Sequence, residues 1–85
     1  MSFGLSMPKN IPALKPRALI KRLESAGCYF HREGKGDHRL YRRDTEDKIR
    51  IVPIDMGASE MSPAYVLRIF RQFGFTDEDI EALLK

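Results

Sequence analysis

Val66, Ile69, Phe70 and Phe73 recur at i, i+3, i+4 and i+7, between a Ser62-Pro63 pair and Gly74. At 3.6 residues per turn, these four fall on one side of a helix. Serine is a favoured N-cap, and proline is accepted at the first helical position. Met61 and Val66 occupy the two positions of a hydrophobic staple, and Gly74 is a natural stop. A helix so apolar on one side must bury that side against something else. A chain of 85 residues offers one small domain and one modest core. The rest of the sequence must therefore supply the partner layer.

Upstream, Pro16 stands where a helix begins. Leu19, Ile20, Leu23 and Ala26 form one face, and Gly27 is a C′ stop, which predicts a first helix over 17–26. Cys28–Glu33 has the length and aromatic content of a strand, with Cys28 and Phe30 on one face and Tyr29 and His31 on the other. A Gly34–Gly36 turn leads to a second strand, Asp37–Arg43. There Leu40 is the expected core residue, with His38 and Arg42 in its phase. Asp44-Thr45-Glu46-Asp47 is a polar turn. A third strand, Lys48–Ile54, is led by Ile49, Ile51 and Val52. Pro53 lacks an N–H and belongs near an end or edge of that strand. After Gly74, Thr76 caps a short helix whose first turn is acidic. Phe75 staples to Ile80, and Leu83 and Leu84 complete the apolar face.

The expected fold is α+β: an α-β-β-β-α order with a short C-terminal helix. Its three-stranded antiparallel sheet is covered on one face by helices. This is the topology of double-stranded-RNA-binding domains (dsRBD-like), which by itself assigns no function. Residues 1–15 are expected to form a flexible N-terminal tail, docked in part through Ile11 and Leu14, ahead of a domain over 16–85.

The single Cys28 excludes an internal disulfide framework and fits a reducing compartment. No apolar run approaches a membrane span, and the first residues lack a signal-peptide pattern. The expectation is a cytoplasmic protein with no membrane association. The net charge of +3 is uneven: residues 16–50 hold ten Lys and Arg against six Asp and Glu, whereas residues 51–85 hold three against six. A basic half attracts phosphate backbones, although a merely solubilising surface has the same composition.

Within that basic half lies Gly34-Lys35-Gly36-Asp37-His38-Arg39-Leu40-Tyr41. An imidazole titrates nearest physiological pH, and Lys35 and Arg39 flank it. Such a histidine suits a minimal ribonuclease, and it equally suits an ordinary basic hairpin. Arg32, Lys35, Gly36, Arg39 and Arg42 are the candidate RNA-binding positions. His31 reads as a surface residue, and Tyr41 as a packing residue. Cys28, His31 and His38 fit no zinc spacing. Asp44, Glu46 and Asp47 read as an ordinary acidic turn, so no metal or cofactor is expected. Cys28 is expected to point into the core beside Phe30 and is not a nucleophile.

In order, residues 15–85 contain a Leu-Ile-Lys-type helix ending at Ala26-Gly27, then an Arg32…Gly36-x-His38 turn followed by Leu40 and Tyr41. An Ile51-Val52-Pro53 strand end comes next, then a helix with Leu67-Arg68-Ile69 before Gly74, and a last acidic helix. This ordered set resembles the HicA toxins, messenger-RNA interferases of toxin–antitoxin pairs. The resemblance implies a dsRBD-like fold, catalysis by His38 as general acid or base, and an mRNA substrate. It also implies a HicB antitoxin that covers the active surface. The chain departs from the family's pattern in four places. Asp37 stands where the family has serine, and Asp55 where it often has a second histidine. Ser62-Pro63 replaces a Gly-Thr pair, and the Arg32–Gly36 segment is one residue longer. Three readings follow: a metal-independent endoribonuclease toxin, a non-catalytic RNA-binding module, or a domain that only docks a partner.

Overall fold

The computed structural model describes residues 10–85 and has the order α1 (Pro16–Ser25), β1 (Tyr29–Glu33), β2 (His38–Asp44), β3 (Ile49–Asp55), α2 (Pro63–Gln72) and α3 (Asp77–Leu83). The strands form one antiparallel sheet in the order β1-β2-β3. The architecture is the α+β arrangement expected from the sequence. Of the expected N-terminal tail, residues 1–9 lie outside the described residues. Leu14 is buried, and its N–H and C=O both pair with Met61, at 3.1 and 2.7 Å. Ile11 packs partly buried against the core.

The helices form where local chemistry and apolar spacing agree. In α1, Leu19, Ile20 and Leu23 are buried behind a proline start. In α2, the Ser62 side chain accepts the Tyr65 N–H, and Val66, Ile69 and Phe70 are buried, with Phe73 at the cap. Thr76 and Asp79 close a reciprocal capping box on α3, which leaves two otherwise orphaned N–H groups paired. Phe75 and Ile80 are both buried, as the staple requires. Gly27 and Gly74 end α1 and α2 at φ of 93° and 80°, a region costly to residues with a Cβ.

The sheet's faces are assigned differently from the sequence expectation. Tyr41, not Leu40, is the core residue of β2: it is 4 % exposed and pairs with buried Val52. Opposed residues share a sheet face, so Arg39, Tyr41 and Arg43 face the helices with Val52 and Ile54. His38, Leu40, Arg42 and Asp44 lie on the open face with Asp55, Pro53, Ile51 and Ile49. Ile49 and Ile51, expected to lead β3 into the core, are exposed there, while Val52 and Ile54 are buried. Pro53 lies on an edge strand, where its missing N–H costs no ladder bond.

β1 also departs from simple alternation. Its register with β2 shifts between Phe30 and Arg32, a bulge at His31. The bulge places Arg32, opposite Leu40, on the open face, where unbroken alternation would have put His31. Phe30 shares the Tyr41 face and meets that ring edge-on at 5.9 Å, yet it is 46 % exposed at the sheet edge. Cys28 is buried in the core as expected, without Phe30 covering it.

Candidate active site

His38 is the first residue of β2, and a tight turn holds it there. Its N–H donates to the Lys35 carbonyl at 3.0 Å, and its own carbonyl accepts the Gly34 N–H at 2.8 Å. A Cβ on Gly34 would stand 3.3 Å from the His38 Cβ and 3.2 Å from its carbonyl oxygen. Glycine at 34 therefore keeps the space beside the His38 Cβ and carbonyl clear. Asp55 is the cross-strand partner of His38. The Asp55 carboxylate accepts the Gly57 N–H at 2.9 Å. Asp37, next to His38, is fastened by its carbonyl to the Met56 N–H at 2.9 Å, and its carboxylate packs against Gly57. His38 is thus an exposed residue of the open face, between Gly34 of the turn and Asp55 of β3.

The other expected positions divide between two sides of the sheet. Arg32 and Arg42 join His38 on the open face. Arg42 lies four residue steps from His38, or about 13 Å along β2. Lys35 and Gly36 form the exposed turn, with Gly36 at φ of 57°. Arg39 lies on the helix-facing side, where its guanidinium approaches the Glu33 carboxylate at 3.7 Å. His38 and Arg39, adjacent in sequence, therefore serve opposite faces.

Arg42 is already engaged. Its Nε donates to Asp44 at 2.6 Å, while the Tyr29 hydroxyl donates to the other carboxylate oxygen at 2.9 Å. The guanidinium also stands 5.9 Å from the Tyr29 ring centroid. The Arg42 hydrogen bond, with help from Tyr29, holds the Asp44 carboxyl below its ordinary range. In return, the bond to Asp44 raises the titration of both Arg42 and Tyr29. The sequence reading missed this lock and, although it noted Asp55 at the position of the family's second histidine, the pairing of Asp55 with His38. Both depend on register, and in sequence Tyr29 lies 15 residues from Asp44. Cys28 is poorly placed for a nucleophile: it is buried in the core, burial pushes its thiol up to about 11, and nearby Arg43 offsets this only in part.

Chemically, the open face offers one exposed imidazole, with Asp37 before it in the chain and Asp55 as its cross-strand partner. Cations stand at one and two further positions along the same surface. No curated protein and no solved structure matches this chain. A family model described as the HicA toxin of bacterial toxin-antitoxin systems matches residues 16–75, from the first residue of α1 to just beyond α2. That span covers the whole sheet, the His38 turn and both longer helices, and on it the chain belongs to the HicA toxin family, whose members are the toxin components of pairs with a cognate antitoxin.

Proposed function

We propose that this toxin is a metal-independent endoribonuclease that cleaves mRNA, with His38 as its general acid or base. The observation that carries the reading is the exposed His38 on the open sheet face, on the same surface as Arg32 and Arg42. RNA supplies its own nucleophile. Neutral His38 takes the proton of a 2′-hydroxyl. The 2′-oxygen then attacks the adjacent phosphorus, the bond to the 5′-oxygen breaks, and that oxygen takes a proton from water. The products are a 2′,3′-cyclic phosphate and a 5′-hydroxyl, with no redox change and no cofactor. General base help of this kind contributes about 10²–10⁴-fold. Arg32, Lys35 and Arg42 bind phosphate and offset its developing charge. A HicB-like antitoxin covers this face, and the reaction takes place in the cytoplasm, where mRNA is found.

The test is cleavage of an end-labelled single-stranded RNA in EDTA by wild type and His38→Ala. Loss of about two orders of magnitude or more in the folded variant supports the reading. Cleavage at the wild-type rate removes His38 from the mechanism. Salt-sensitive binding without cleavage by wild type leaves the RNA-binding module as the function.

A further inference from the structure

A second basic feature lies on the other side of the sheet and has no part in the His38 chemistry. Between the start of α1, β2 and the loop after β3 is an open cavity of about 540 Å³. Its rim carries Lys15, Arg17, Lys21 and Arg39, and no carboxylate lines it. Three of these cations, Lys15, Arg17 and Lys21, make no ion pair among the described residues, and Arg39 has only its long, exposed contact with Glu33. The floor is apolar, built from Ile20, Tyr41 and Met56. An apolar floor with a few charged groups at the rim is the usual composition of a small-molecule site, and the volume falls within the usual range. Four cations converging on one opening attract an anion, while the floor suits a flat, weakly polar group.

We infer that this cavity is a subsite for one nucleotide of single-stranded RNA, with the phosphate on the cationic rim and the base over Ile20, Tyr41 and Met56. The inference rests on the ribonuclease reading for its polymer and on the cavity alone for its nucleotide. Continuity with the candidate active site favours RNA over other anions. Arg39 follows His38 directly in β2, and their side chains leave on opposite faces. Met56, in the floor, is bonded through its N–H to the carbonyl of Asp37, the residue before His38. The cavity and His38 therefore share one end of the sheet. A strand that rounds this end places one nucleotide in the cavity while a neighbouring phosphodiester meets the imidazole. A subsite of this kind adds affinity and fixes the register of cleavage without adding chemistry.

The probe is adenosine 5′-monophosphate titrated into the ¹⁵N-labelled full chain, with inorganic phosphate, adenosine and hexaglutamate titrated separately. The backbone amides of Ile20 and Lys21, and of Ala58 and Ser59 in the loop that lines the cavity, should shift with the nucleotide and saturate at least tenfold earlier than with phosphate or adenosine alone. Lys21→Glu, on the exposed side of α1, should weaken this binding about tenfold while the spectrum stays dispersed. In cleavage of single-stranded RNA, the same variant should raise KM about tenfold with kcat within twofold. Lys48→Glu, at the far end of the sheet, serves as the charge-matched control and should change neither by more than about twofold. Equal saturation by phosphate and nucleotide overturns the proposal in favour of a plain anion site. Shifts with hexaglutamate alone overturn it in favour of an acidic peptide. Absence of shifts with the nucleotide also overturns it, even if the protein cleaves RNA. Nucleotide binding here by a protein that cleaves no RNA sustains the subsite and sinks the ribonuclease reading instead.

Discussion

Arg43 donates from Nη1 to the carbonyl oxygen of Phe73 at 2.7 Å, joining the central strand to the C-terminal cap of α2. The same guanidinium lies 4.0 Å from the centroid of the Phe75 ring. One side chain thus satisfies a carbonyl that the helix leaves unpaired and covers the aromatic residue that leads into α3. Arg43→Ala removes both interactions and should destabilise the fold by about 2 kcal/mol, the sum of a charge-assisted hydrogen bond and a modest cation–π contact. Arg43→Lys keeps the charge without the planar stack and should recover about half of that. Urea denaturation of the three proteins measures both. An unchanged midpoint in Arg43→Ala would make the contact ornamental.

The two faces of β2 differ in what they tolerate. Tyr41 is buried against Val52 and beside Phe30, whereas Leu40 is half-buried on the open face. Tyr41→Ala should cost about 3 kcal/mol through the cavity it leaves, and Leu40→Ala about 1 kcal/mol or less. Thermal melts rank them. The opposite ranking would mean that β2 presents its other face to the helices.

That ranking marks where the sequence was ambiguous. The stripe of α2, its Ser62-Pro63 start and the Thr76 cap were readable because capping and 3.6-residue spacing are local signals. In β2, Leu40 and Tyr41 are adjacent, and each has cations or a histidine two residues away, so alternation favours neither face. Tyr41 prevails because Val52 and Ile54 on the neighbouring strand bury that side. Arg39 and Arg43 can share it because their long stems carry the charge to the margins. The bulge at His31 has no glycine or proline to announce it. His38 at the head of a strand was legible from the glycines before it. Its neighbour Asp55 was not, since their pairing depends on the register set by the Thr45–Lys48 turn. Lys15, Arg17 and Lys21 look in sequence like a solvated helix face, and only the packing of α1 beside Arg39 groups them.

Cys28 should behave as an inert thiol in the native protein. It is buried, and burial pushes its pKa from 9.0 up to about 11. The folded state therefore keeps its proton after the unfolded state has lost it. Stability from this difference is complete below pH 9 and declines as pH rises toward 11. A disulfide reagent at pH 8 should label Cys28 only at the rate of opening and should label it at once in denaturant. Cys28→Ala should flatten the alkaline loss of stability relative to wild type. Rapid labelling of the native protein would contradict the burial.

Gly34 governs the space beside the candidate catalyst. A methyl group there meets the His38 Cβ at 3.3 Å and its carbonyl oxygen at 3.2 Å, so one of them must yield by a few tenths of an ångström. Gly34→Ala should leave the melting temperature within a few degrees while lowering kcat for RNA cleavage about tenfold or more, because small displacements of a reacting group cost heavily. Equal kcat in a folded Gly34→Ala protein would show that the His38 position tolerates the shift.

Among the candidate RNA-binding cations, Arg42 is the one most directly restrained, and Asp44 is the restraint. The carboxylate sits 2.6 Å from Arg42 and is itself held ionised by that bond and by Tyr29. On the proposed ribonuclease reading, an RNA phosphate would compete with it for the guanidinium and tolerate its charge. Asp44→Asn removes the charge and should tighten single-stranded RNA binding by roughly threefold, the scale of an exposed ion pair. Arg42→Ala should weaken binding and reduce its salt dependence by about one phosphate contact. The lock also adds stability above the ordinary titration range of aspartate. This contribution fades as pH falls through the depressed value for Asp44, so Asp44→Asn should show a shallower acid loss than wild type. Binding isotherms at two salt concentrations, alongside acid melts, separate the two roles. If Asp44→Asn binds RNA no better than wild type while its acid profile flattens as expected, Asp44 is a structural clasp, and RNA reaches His38 by a path that does not cross Arg42.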